Sequence, residues 1–216
     1  MPSRAEHTRE RILEASLMLF NERGERNVAI SDVALELGIS PGNLHYHFRH
    51  KNEIVSRLFE QFRNQVTPAL AVPRDRPADA EDLWLFLHMM FEQVRDYRFL
   101  FRDLDDLMAR DRRLQREFAK LLGGIAATAA RLMRGLAAAG ALQAGKREIE
   151  ALAEGTAMTI AYWMSYRGIR GEALRGDAIG RGVYQVMAAL APYLRGDAQA
   201  LFVQLAGEYL GEGLES

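Results

Sequence analysis

Proline and glycine cut this chain into pieces of helix length, and no run between them alternates apolar and polar residues long enough to form a strand. That punctuation predicts an all-α fold. The first helix starts at Ser3, three residues before Glu6 in capping-box spacing, and ends at Gly24, a residue suited to a left-handed helix terminus. Ile12, Ala15, Ser16, Leu19 and Phe20 share its inward face. A second helix runs from about Ser31 to Gly38 with Val33, Ala34 and Leu37 turned inward. A third begins at once. Ser40 serves as its N-cap, Pro41 takes the first helical position, where a missing N–H is no loss, and Ile39 and Leu44 have the spacing of a hydrophobic staple. A fourth spans about Lys51 to Val66 on a stripe of Ile54, Val55, Leu58, Phe59 and Phe62. Thr67 to Asp79, holding Pro68, Pro73 and Pro77, reads as a linker, and helices follow at about 80–96, 98–108, 111–139, 147–168, 177–194 and 197–210.

A length of 216 residues suits a small module of about 50 residues and one larger helical unit. The division expected is 1–50 and 51–216, with the helix from about Lys51 connecting the two. Hydrophobic residues at 49% and charged residues at 26% allow a real core. The absence of cysteine excludes disulfides, cysteine zinc ligands and thiol nucleophiles. The N-terminus, MPSRAEHTRERILEA, lacks the apolar centre of a signal peptide, and no segment approaches 18 uncharged apolar residues; a cytoplasmic protein with no membrane partner is expected. The formal net charge of −1 gives no support to a nucleic-acid partner, because phosphate binding needs positive potential. Averages conceal patches, however. Residues 1–51 hold seven basic and seven acidic side chains, yet no acid falls between Leu37 and Lys51.

Two short helices joined by a glycine-containing turn and preceded by a supporting helix make a helix-turn-helix, whose second helix enters the major groove of DNA. The helix from Pro41 to Phe48 buries Leu44 and Phe48, four residues apart, and leaves Asn43, His45, Tyr46 and His47 on other faces. Around it, the stretch AISDVALELGISPGNLHYHFRHKNEIVSRLF resembles the signature of TetR-family regulators, and the resemblance extends over residues 8–60. It implies a three-helix DNA-binding unit, a ligand-responsive helical C-terminal domain, and a homodimer on a palindromic operator of double-stranded DNA. Carried onto matching positions, it implies that Ser31, Tyr46 and His47 contact phosphate. Asn43 and His45, with Ser40 and Gly42 beside them, would lie nearest the base edges. Lys51 matches the family lysine that opens the fourth helix, where an ammonium and free backbone N–H groups make a phosphate site. Two positions depart from the pattern. His50 stands where a small capping residue is usual, which predicts a weaker cap or one shifted to Asn52, and His45 stands where tyrosine or leucine is usual, which predicts an altered operator preference.

Four of the five histidines lie in the first 51 residues, but His47 and His50 flank a helix end with no carboxylate nearby, so no metal and no cofactor are expected. Asp103, Asp105 and Asp106 lie among Arg102, Arg110, Arg112 and Arg113 and read as a solvated ion-paired surface; Gly123-Gly124 follows no strand and is no dinucleotide signal. No enzymatic motif stands out.

In the C-terminal part, DLWLFLHMMFEQV is apolar around nearly its whole circumference and belongs inside a bundle. Phe62, Trp84, His88, Phe91, Phe101, Met158 and Tyr162 could line an effector pocket, since such pockets are apolar with a few polar anchors and methionine adapts to irregular ligands. The same residues read equally as core, and His88 as a hydrogen-bonded core histidine. The resemblance implies that a ligand between these helices shifts the fourth helix and changes the spacing of the recognition helices. For dimerisation the last long helices offer Ile149, Leu152, Thr156, Ile160 and Trp163, and Val183, Val186, Met187, Leu190 and Leu194, with Gly155, Ala157, Gly180 and Gly182 permitting close approach; the same periodicity suits packing within one chain. The function expected is a repressor released from its operator by a small hydrophobic effector. The alternative is a constitutive, non-sensing repressor or architectural protein whose larger domain only dimerises.

Overall fold

The computed structural model describes residues 4–72, 76–172 and 178–211. α1 (Arg4–Arg23), α2 (Ile30–Glu36) and α3 (Pro41–His47) form an N-terminal cluster, which α4 (Lys51–Val66) joins to α5 (Ala80–Asp96), α6 (Arg98–Arg102), α7 (Leu104–Arg110), α8 (Arg112–Ala138), α9 (Lys146–Ile169), α10 (Ala178–Leu190) and α11 (Asp197–Gly211). The described residues are all-α apart from one isolated antiparallel bridge between Leu142 and Leu194. There Gln143 N–H donates to the Tyr193 carbonyl at 2.8 Å and Arg195 N–H to the Ala141 carbonyl at 3.0 Å, tying the α8–α9 turn to the α10–α11 turn.

The Ser3 cap falls outside the described residues. At the other end α1 stops as its sequence requires, with Gly24 at φ +87°. Two boundaries differ from expectation. The helix expected at 98–108 is broken at Asp103 into α6 and α7, because Ser165 Oγ of α9 donates toward the Phe101 carbonyl at 2.6 Å and lies 3.2 Å from the Arg102 carbonyl. Those carbonyls would otherwise serve the next helical turn. The helix expected to reach 194 ends at Leu190, since Pro192 cannot continue an α-helix and sits in a 3-10 turn, Ala191–Tyr193.

The stretch read as a linker is strapped down. Its 3-10 turn, Pro68–Leu70, presents the Leu70 carbonyl to Thr128 Oγ1 at 3.2 Å and to Arg131 at 3.3 Å, both on α8. Further along, Ala78 lies so close to Gly135 of α8 that a Cβ there would come within 2.9 Å of the Ala78 methyl. The centre of the bundle is an aromatic cluster between α4, α6 and α8. Phe62 lies 5.4 Å from Phe101 and 5.5 Å from Tyr97, and Phe118 closes the group at 5.7 Å from Phe101 and 5.8 Å from Phe59. Around it α8 packs on α9 and α5 on α10. Gly182 makes the latter contact possible, since a Cβ at this position would penetrate the ring of Phe91.

Candidate DNA-binding site and its joint to the bundle

The turn between α2 and α3 is built from local chemistry. Gly38 takes φ +64°, its N–H reaches the Leu35 carbonyl at 3.1 Å, and Ile39 N–H reaches the Ala34 carbonyl at 3.0 Å, which is the Schellman pairing that closes a helix on a left-handed glycine. Ser40 then caps α3, its Oγ accepting from Asn43 N–H at 3.2 Å, with Pro41 in the first turn. Leu44 and Phe48 are fully buried and fix the helix against α1 and α2. The rest of α3 faces out, His47 only in part. Ser40, Gly42, Asn43, His45 and Tyr46 are exposed, as is Ser31 on α2, and His47 is half-buried with its ring edge-on to Tyr46 at 5.2 Å. Tyr46, 84% exposed, makes no use of the core that its size would suit. A short helix presenting amide, imidazole and phenol groups to solvent over an apolar underside can enter a major groove and hydrogen-bond base edges.

His50 takes the N-cap position of α4 without a side-chain cap bond, and the Glu53 carboxylate accepts from Arg49 N–H at 3.3 Å instead; the cap is not shifted to Asn52. Lys51 differs from the exposed group. Its ammonium donates to the carbonyls of Glu25 at 2.8 Å and Val28 at 3.0 Å and forms an ion pair with the Glu25 carboxylate at 3.0 Å, so its charge is turned toward the protein. A phosphate approaching that ammonium would compete with the Glu25 carboxylate for it.

Glu25, with no exposed side-chain surface, is the centre of a joint that sequence reasoning did not find. Arg110 of α7 approaches its other oxygen at 2.5 Å and also pairs with Asp106 at 2.7 Å, while Arg26 lies 3.6 Å from Asp106. The hydrogen bond that it donates to Glu25 holds the Arg110 guanidinium more firmly protonated than usual. Nearby, the buried Asn21 of α1 donates to the Asp96 carbonyl at 2.7 Å and accepts from Phe99 N–H at 3.1 Å, and Arg102 donates to the Phe20 carbonyl at 3.2 Å. The end of α1 is thus clamped to the end of α5 and to α6, and the turn after it to α7.

The seven residues considered for an effector pocket lie in four places. Phe62 and Phe101 are in the aromatic cluster, and Phe91 is buried against Gly182. Trp84 and His88 meet Tyr209 of α11, the indole N–H donating to the phenol oxygen at 2.7 Å and His88 Nδ1 lying 3.3 Å from it. Met158 and Tyr162 line an open groove of about 660 Å³ on the outer side of α9 and α10, with Trp163, Tyr166 and Tyr184. Burial, with the nearby Asp105 charge, pushes the Tyr162 phenol above its ordinary pKa.

Ile160, Val183, Met187, Leu190 and Leu194, considered for the dimer interface, are all buried within the protomer and cannot reach a partner. Gly180 and Gly182 likewise serve close contacts inside the chain, with Tyr209 and Phe91. The exposed apolar side chains of α9 are Met158, Tyr162, Tyr166 and Ile169, at 64%, 45%, 51% and 87% exposure. Their spacing of four, four and three residues was visible in the sequence. A second stripe on the same helix masked it.

Comparison with known proteins agrees with this geometry. A solved TetR-family transcriptional regulator from Marinobacter aquaeolei VT8 is 34% identical and matches with a TM-score of 0.85, covering 94% of this chain and 98% of its own. The HTH-type transcriptional regulator AcrR of Shigella flexneri is 30% identical over 56 residues, so the match spans 26% of this chain and 26% of that relative. The solved SmeT–triclosan complex shares the fold, with a TM-score of 0.60 at 20% identity over 89% of this chain and 94% of that one. Residues 12–58 match the family described as "Bacterial regulatory proteins, tetR family", and residues 61–202 match the TetR family described as "Bacterial transcriptional repressor". The fold and its exposed third helix define a helix-turn-helix regulator of transcription, a DNA-binding protein and not an enzyme. The chain belongs to the TetR family. No helix among the described residues is long and apolar enough to cross a membrane.

Proposed function

We propose that this chain is a cytoplasmic, homodimeric repressor that binds a palindromic operator and leaves it when a small hydrophobic ligand binds. The observation that carries the DNA-binding part is the face of α3, where Asn43, His45 and Tyr46 stand exposed while Leu44 and Phe48 are wholly buried. Asn43 and His45 read base edges, with Ser40 and Gly42 beside them; Ser31, Tyr46 and His47 contact phosphate. Lys51 contributes to the phosphate site through its backbone N–H at the start of α4. The division at residues 50 and 51 makes 1–50 the reading unit and 51–216 the sensing and dimerising unit. Dimerisation uses the outer face of α9, from Met158 to Ile169, beside α10. The two-fold axis then pairs the reading helices with two half-sites on one side of DNA.

The effector reading draws support from a solved relative of this fold that holds triclosan, and from the aromatic cluster beneath α4, where a ligand parting Phe62 from Phe101 would press on the helix that carries Lys51. A second reading, constitutive repression without sensing, is favoured by one observation: Phe62, Phe91 and Phe101 are packed with at most 1% of their surface exposed. Selection from random duplex DNA tests the first part, with an inverted repeat as the expected product. Enrichment of a lone motif, or of none, would defeat the palindromic reading. A thermal-shift panel of hydrophobic molecules, triclosan included, tests the second. A compound that both raises the melting temperature and releases the selected DNA supports induction. If none does either, the constitutive reading stands.

A further inference from the structure

Glu25 lies just past the glycine that ends α1 and a few residues before α2, and its carboxylate also holds the first residue of α4. One buried anion therefore ties the turn between α1 and α2 to the start of α4. The partner on the other side, Arg110, is the last residue of α7, outside the helix-turn-helix. α7 is itself fixed to the bundle: Tyr162 of α9 donates to Asp105 at 3.3 Å, and Ser165 holds the carbonyls at the end of α6. Exposed ion pairs hold geometry weakly, but a carboxylate stripped of water gives up either of its two cations only at a cost, since the other must then compensate it alone. The Glu25–Arg110 contact is thus a stiff strut between the reading unit and the bundle, with Asp106–Arg26 a looser one beside it.

We propose that Arg110 is a positioning residue for operator binding: by gripping Glu25 it fixes the angle at which α2 and α3 leave the bundle. The inference rests on the two-half-site reading above. In a two-fold dimer the reading helices must meet grooves about 34 Å apart, or a multiple of that, so an angular error at the joint is carried out to the DNA and appears twice. A single half-site is insensitive to that error. Removing Arg110 therefore relaxes the required spacing without changing which bases are read.

The test uses the full chain and the duplex selected by the wild type. Anisotropy titrations compare the operator, a single half-site, and operators lengthened or shortened by a base pair between half-sites. Arg110→Gln is expected to bind the single half-site within about twofold of wild type, to lose about tenfold on the operator, and to discriminate less among spacings; Arg110→Lys restores most of the loss. Equal losses on half-site and operator, or none on either, would overturn the proposal. Should Arg110→Gln melt below the assay temperature, Asp106→Asn decides, since it loosens the same guanidinium while leaving both cations of Glu25 in place. A flatter spacing profile at unchanged melting temperature is expected there, and an unchanged profile overturns the proposal. A lone motif selected by the wild type defeats the two-half-site reading before any variant is made, and this inference falls with it.

Discussion

Lys51 and Asn43 lie eight residues apart, and the structure gives them opposite duties. The Lys51 ammonium faces a fully buried carboxylate, so Lys51→Ala strands part of the charge of Glu25 and empties two carbonyls. Arg110 still compensates the anion, which holds the expected loss to about 1–3 kcal/mol, below what an unpaired buried charge costs. Urea denaturation measures it, and an unchanged midpoint would show that the pair contributes nothing. Alanine keeps the backbone N–H assigned to phosphate, so a loss of DNA binding should come from the loosened start of α4 and fall on all sequences alike. Asn43→Ala and His45→Ala remove exposed side chains and should leave stability within about 0.5 kcal/mol while relaxing preference at a base pair in each half-site. Selections with each variant that return the wild-type motif would remove that residue from the reading set. The reading face was legible because caps, turn glycine and staple are local signals. The burial of the lysine was not, because Glu25 stands 26 residues earlier and its second cation 85 residues later.

The helices show the same contrast between local and distant causes. Gly123 and Gly182 both lie inside helices, and the sequence offers no way to tell them apart. Around Gly123 of α8 a Cβ would meet nothing within 4 Å, whereas at Gly182 of α10 it would enter the Phe91 ring. Gly123→Ala should therefore stabilise by about 0.5–1 kcal/mol through helix propensity alone. Gly182→Ala gains the same propensity and loses more, a net destabilisation of about 1–2 kcal/mol as α10 is pushed off α5. Thermal melts of the two variants moving in the same direction would contradict this packing. Asp103 makes a parallel case. Its flanking residues favour one continuous helix, and the break comes from a serine hydroxyl on α9, more than 60 residues away.

At the scale of the whole molecule the question is which face of α9 is left for a partner. The helix carries two apolar stripes. Sequence periodicity favoured the one with Ile160, which is buried inside the bundle. What remains outside is Met158, Tyr162, Tyr166 and Ile169, and side chains this apolar and this exposed in a row mark an association surface. Ile169 is the most exposed of the four and stands at the end of the helix, so Ile169→Lys removes no packing within the protomer. The melting temperature of a dilute, dissociated sample should be unchanged. If the surface closes the dimer, a lysine brought near its symmetry mate should raise the dimer dissociation constant at least about tenfold, read by sedimentation equilibrium. Operator affinity should then fall with dimer concentration, while half-site affinity holds, which separates this loss from the loss of spacing expected of Arg110→Gln. A variant that stays as dimeric as the wild type would move the two-fold axis off this end of α9 and towards α10.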